Sequence, residues 1–395
     1  MGCHKITTTS LGRPRPKLSP WFPLLVLLPF SALLTLSGCG KADQGVSQGS
    51  GQGGSGFSDD TVRRLDYAIA ERMRENDLPG VVVGVWVPGE GKYVVARGKA
   101  NLKSGEKRDL GDPFRIGSIT KTFTATAVLQ LVEEGKLSKT DKLAKWYPHF
   151  PNADKITIEH LLRMRSGIVD PPWEAAFFEE GLTSPQETIE ASAGLGETFL
   201  LPGQRTQYTN VNYVILGEVV GKVSGKDTGD QIAESILEPL GMKDTIYPTT
   251  KDLPGDLHGY TLAHTGELKD ATSFNPSAEG GAASMISDVS DLKTWAEAVC
   301  TGKLLKSEIQ KARLRTHHLP GEPDSVGYGE GIYKVGEFCG HGGRQPGFSS
   351  AMWYLPERDA TIVVNVNRED QYTSAPSEAL TEAIVNILFP KYVLR

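Results

Sequence analysis

Strand-forming sequence stands at both ends of this chain, and helix-forming sequence fills the space between. Near the start, VVVGVWV (81–87) and YVVARG (93–98) are β-branched and aromatic runs joined by PGEGK, which predicts a hairpin. Near the end, Tyr328–Val335, Glu337–His341, Phe348–Leu355 and Ala360–Asn367 read as three or four further strands. The clearest helices in the middle are ITIEHLLRM (156–164) and VNYVILGEVVGKV (211–223), set among many Pro, Gly and Asp punctuators. A helix opens the globule, with Ser58 at its N-cap and Val62, Leu65, Ile69 and Met73 at helical spacing. Another closes it, from Glu378 to Leu388. The expected fold is α+β: one antiparallel sheet built from N- and C-terminal strands, flanked by helices, with a mostly helical subdomain inserted.

The globule begins only near Ser58. Residues 1–22 hold Lys5, Arg13, Arg15 and Lys17 and no acid; an apolar run, Leu24 to Leu36, follows, broken by Pro29. This is the layout of a signal peptide, and the apolar run is too short for an ordinary membrane span. Leu36-Ser37-Gly38-Cys39 resembles the bacterial lipobox, which implies cleavage before Cys39 and a lipid on it. The alternative is a plain secretory signal with an incidental cysteine. Both predict an exported protein with a signal peptide at 1–38 and a domain at 58–395. A flexible, Gly- and Ser-rich tether at 39–57 would join the domain to a lipid on the outer face of a bacterial cell membrane.

Loss of the four cations of residues 1–38 takes the formal net charge from −6 to −10. So acidic a domain is a poor nucleic-acid partner, and membrane attachment would rest on the Cys39 lipid rather than on charge. Cys3 leaves with the signal, so Cys300 and Cys339 remain. In an exported protein they predict a disulfide, with two buried thiols as the alternative.

Residues 114–135, FRIGSITKTFTATAVLQLVEEG, form a helix that is apolar on most sides and therefore buried. Yet Lys121 shares a stripe with Ala125, Val128 and Val132. A buried, unpartnered ammonium is costly, so Lys121 either reaches solvent or is held for a purpose. Ser118 stands one turn earlier on the same face. Ser-x-x-Lys occurs three times in the chain, but Ser104–Lys107 lies in a polar turn and Ser290–Lys293 on an amphipathic helix. Only Ser118 opens a buried helix, where backbone N–H groups favour negative charge and a destabilised lysine can serve as base.

Two further stretches carry chemistry. In LPGQRTQYTN (201–210), Tyr208 and Asn210 precede a helix; a neighbouring cation can make tyrosine an acid–base group. Read alone, Tyr208 is a packed aromatic and Asn210 a helix N-cap. In CGHGGRQPGFSS (339–350), a strand carrying His341, Gly342 and Gly343 would present backbone N–H groups to a groove, as an oxyanion hole needs. The alternative is a strand-end histidine followed by a turn.

Taken in order, SITK, YTN and HGG resemble the three motifs of the serine β-lactamase and penicillin-binding protein superfamily. The branch is that of class C β-lactamases and the Streptomyces-type D-alanyl-D-alanine carboxypeptidase. The similarity runs from about residue 60 to 390 and includes ITIEHLLRMRSGI and EGGAASMISDVSDL. His264-Thr265-Gly266 fits the third motif better by letters, but it precedes EGGAASM, which the family's third motif follows; His341 meets that condition.

The resemblance implies that Ser118 forms an acyl-enzyme and that Tyr208, helped by Lys121, takes the serine proton and returns it to the leaving group. Asn210 would orient substrate and Lys121, and His341 would replace the lysine of the Lys-Thr-Gly motif. The N–H groups of Ser118 and Arg344 would form the oxyanion hole, Gly343 and Arg344 would contact substrate, and no metal or cofactor would be needed. Gly342 lacks the hydroxyl that relatives use on a substrate carboxylate, which leaves Arg344 as a candidate bidentate partner. The expected activity is D-alanyl-D-alanine carboxypeptidase-like, on cell-wall peptide. The alternatives are hydrolysis of an ester or β-lactam on the same site, or a non-catalytic envelope-binding lipoprotein, against which the intact Ser118, Lys121, Tyr208 and Asn210 argue.

Overall fold

Val81, in the first strand of the chain, lies opposite Val366, in the last. The computed structural model describes residues 56–172, 181–196, 200–248, 250–262, 266–369, 375–392 and 394. Among them the main sheet has eight antiparallel strands. These are β1 (Gly80–Val87), β2 (Gly91–Gly98), β3 (His317–His318), β4 (Val326–Tyr328), β5 (Tyr333–Val335), β6 (Phe338–Gln345), β7 (Phe348–Leu355) and β8 (Ala360–Val366). Their order is β2-β1-β8-β7-β6-β5-β4-β3, so the two ends of the chain meet at the β1–β8 seam.

Five helices position the site: α1 (Asp59–Glu75), α2 (Thr120–Glu133), α3 (Val211–Ser224), α4 (Val289–Thr301) and α5 (Pro376–Leu388). Ser58 caps α1 as expected, its hydroxyl accepting from Thr61 N–H at 3.2 Å. Alternation along β6 shows the layering: Cys339 is bonded to Cys300 of α4, while Gly342, three residues on, faces Glu378 of α5. Strands covered on both faces lose the apolar–polar alternation, and every residue of β7 and β8 is buried. The Cys300–Cys339 disulfide bridges a sequence separation of 39 residues. Restricting the unfolded chain in this way stabilises the fold by about 4 kcal/mol.

The structure corrects several boundaries. The run 328–335 is not one strand but β4 and β5 joined by a turn at Gly329–Ile332. The run 337–341 extends through the glycines to Gln345, so His341, Gly342 and Gly343 are strand residues rather than a turn. The helix expected at 156–164 is limited to Ile158–Leu162, capped by Thr157. The expected signal peptide, Cys39 and the expected tether up to residue 55 lie outside the described residues, as does His264.

Candidate active site

The turn that presents Ser118 is a 3-10 segment, Gly117–Ile119, which runs directly into α2. α2 is buried almost all round, and its threonines satisfy their own hydroxyls: Thr122 donates to Ile119 O at 2.7 Å and Thr126 to Thr122 O at 2.8 Å. Lys121 is 0% exposed. It does not reach solvent; it is held. Its Nζ donates to Ser118 Oγ at 2.8 Å, to Asn210 Oδ1 at 2.8 Å and to the carbonyl of Ala282 at 3.0 Å. Burial lowers its pKa from the ordinary lysine value, with the carboxylates of Glu279 and Asp170 acting the other way.

The three contacts have a directional consequence. Asn210 Oδ1 and Ala282 O are acceptors only. Two Lys121 N–H bonds must therefore point at them in either protonation state. When the amine is neutral, its lone pair is left facing Ser118 Oγ, and it can take the serine proton without turning.

Asn210 stands at the N-cap position of α3, but its side chain makes no cap bond. The first turn is held instead by Asp170, whose carboxylate accepts from Asn210 N–H and Val211 N–H, both at 2.9 Å. That contact frees the Asn210 side chain for Lys121. Tyr208 packs with Lys121 Nζ 5.0 Å from its ring centroid. Its hydroxyl is held above the ordinary phenol value by burial, partly offset by a hydrogen bond to Ser118. This differs from the expectation that a cation would lower it: Tyr208 rests protonated, ready to donate.

His341 is buried with Tyr333 at 4.8 Å and Tyr328 at 5.8 Å between ring centroids. Burial pushes its pKa down to about 3. It is neutral at working pH and brings no positive charge to the cleft. Gly343 does not line the cleft. A Cβ there would lie 1.9 Å from the carbonyl oxygen of Ile116, so glycine lets β6 pass against the Ser118 turn. A Cβ on Gly117, whose φ is +51°, would lie 2.7 Å from Arg344 N. The backbones of 117–118 and Arg344 are thereby brought face to face, as two oxyanion donors must be. The Arg344 side chain is occupied: its Nε donates to Glu369 at 2.5 Å.

Ser118, Tyr208, Asn210, His341 and Arg344 open on a cleft of about 840 Å³. Sequence reading missed three contributors. Glu279, 3% exposed, accepts from Gln345 Nε2 at 2.7 Å, and its carboxyl pKa is raised by burial. Asp170 and the aromatic wall of Tyr328 and Tyr333 were missed as well. The partners of the two carboxylates lie far away in sequence, and no local pattern marks them.

The profile of the Beta-lactamase family matches residues 65–386. The chain belongs to the beta-lactamase family. Proteins that it resembles include "Protein flp" of Staphylococcus aureus, 27% identical over 84% of this chain and 68% of that protein. Another is "Penicillin-binding protein 4*" of Bacillus subtilis, 27% identical over 72% of this chain and 67% of that protein. Among solved structures, a D-stereospecific amidohydrolase from Streptomyces sp. superposes with a TM-score of 0.72. It is 29% identical over 84% of this chain and 98% of its own. The family recognised from the sequence and the α+β fold therefore stand, and the family's general chemistry is serine hydrolysis.

Proposed function

We propose that the chain is a serine amidohydrolase that cleaves amide or peptide bonds of D-configured substrates through an acyl-enzyme on Ser118. The observation that carries this reading is the Lys121 contact set, with Nζ 2.8 Å from Ser118 Oγ and its other two donors committed to carbonyl oxygens. Neutral Lys121 takes the Ser118 proton as Oγ attacks the substrate carbonyl carbon. The N–H groups of Ser118 and Arg344 stabilise the oxyanion. Tyr208 donates its proton to the leaving nitrogen and is reprotonated from Lys121, and water then hydrolyses the ester. D-stereochemistry is inferred from the Streptomyces amidohydrolase.

The carboxypeptidase-like form of the reaction needs a group that receives the terminal carboxylate, and Gly342 offers no hydroxyl for it. The one cationic side chain lining the cleft among the described residues, Arg344, is bound to Glu369. The amidohydrolase form has no such requirement, and we place it first. We further propose export with a signal peptide at 1–38, lipid on Cys39 and a tether at 39–57. Radiolabelled palmitate incorporation that disappears in Cys39→Ser tests the anchor.

The activity test measures ammonia released from D- and L-amino acid amides, and D-alanine released from an acyl-D-Ala-D-Ala peptide. D-selective amide turnover is expected. Faster D-alanine release would restore the carboxypeptidase form, and no turnover of either would overturn the reading.

A further inference from the structure

Gly342 marks where the cleft departs from a carboxylate-binding site. A Cβ at Gly342 would lie 3.5 Å from Glu378 Oε1. A carboxylate from the first turn of α5 thus stands beside the position where relatives carry a hydroxyl. Glu322 and Glu369 line the same cleft. The adjoining wall is apolar, including Tyr333, Val335 and Trp353, which strengthens the field of the carboxylates. Arg344 is spent on Glu369, and His341 is neutral. Beside them Gln345 is 2% exposed, and its Oε1 has no hydrogen-bond partner while its Nε2 is committed to Glu279. An unfilled buried acceptor calls for a donor.

Resting on the serine-hydrolase reading above, we propose that this cleft selects substrates carrying a free ammonium group close to the scissile carbonyl. Glu378 is the principal specificity residue and Glu322 its support. A substrate presenting a carboxylate at the same place meets like charge and is rejected.

The test uses matched chromogenic substrates: D-alanine p-nitroanilide, its N-acetyl derivative, and an N-succinyl derivative that adds a carboxylate. kcat/KM is measured for the full exported enzyme and for Glu378→Gln and Glu322→Gln. The free amine is expected to be preferred over N-acetyl by on the order of tenfold or more, with N-succinyl the poorest. Glu378→Gln should lower kcat/KM for the ammonium substrate by about tenfold more than for N-acetyl. Glu322→Gln should have the same sign and a smaller size. Equal or better turnover of the N-acetyl or N-succinyl substrate overturns the proposal, as does an equal loss on all three in Glu378→Gln. Labelling of Ser118 by a fluorophosphonate without turnover of any of the three also overturns it. If the fluorophosphonate does not label either, the hydrolase reading itself falls.

Discussion

Glu330 and Glu279 are both glutamates withdrawn from water, and the protein treats them in opposite ways. Glu330, 0% exposed, receives Lys139 Nζ at 2.7 and 2.8 Å and Arg163 Nη2 at 2.8 Å. Glu279, 3% exposed, has one direct partner, the neutral amide of Gln345, and its carboxyl is held above the usual carboxylate range. The first carboxylate is matched by charge and ties a helical region to the sheet. The second has no direct cationic partner and lies near Lys121, whose three hydrogen bonds all go to neutral oxygens. A buried charge with full compensation builds a scaffold, whereas one without it sets the protonation of its neighbour.

The largest expected effect is on the under-compensated side. Lys121→Ala removes the base and should lower kcat/KM on the order of 1,000-fold with little change in melting temperature. Retention of a tenth of the activity would mean that another group takes the serine proton. On the compensated side, Glu330→Gln should cost about 3–5 kcal/mol in urea unfolding, because Lys139 and Arg163 lose their counter-charge. Glu279→Gln should cost much less, and equal costs would erase the contrast. Replacing Cys300 and Cys339 by serine should remove about 4 kcal/mol, read from the same unfolding curves.

The smallest effect concerns pH. On the proposed mechanism Lys121 acts when neutral, so kcat/KM should rise with pH and level off above its lowered pKa, well before the ordinary lysine range. The Glu279 carboxylate raises the Lys121 pKa. Glu279→Gln should therefore move the rising limb to lower pH. A shift to higher pH, or none, would show that the two groups are not linked.

What could be read from sequence was what local pattern encodes. The sheet shared by both termini follows from β-branched runs, and α1 from its Ser58 cap. Ser118 and Lys121 were legible because a cation on an apolar helix is an anomaly. What stayed hidden was pairing across the fold. Asp170 reaches Asn210 from 40 residues away, and Glu279 meets Gln345 across 66. Arg344 read as a carboxylate receptor because nothing in its own segment shows that Glu369, 25 residues on, already holds it. The break inside 328–335 was marked locally, by Gly329-Glu330-Gly331, and reading Tyr328, Ile332, Tyr333 and Val335 as one strand passed over it.

The central claim is that Ser118 is a nucleophile whose proton goes to Lys121. It is tested most directly by peptide-level mass spectrometry of the enzyme after exposure to a fluorophosphonate and, separately, to a fluorescent penicillin. Labelling is followed across pH in the parent and in Ser118→Ala. The account predicts an adduct on the Ser118 peptide with at least the fluorophosphonate, absent in Ser118→Ala, its rate rising with pH below the ordinary lysine range. A folded protein that takes no adduct from either reagent, or takes it on another residue, would contradict it.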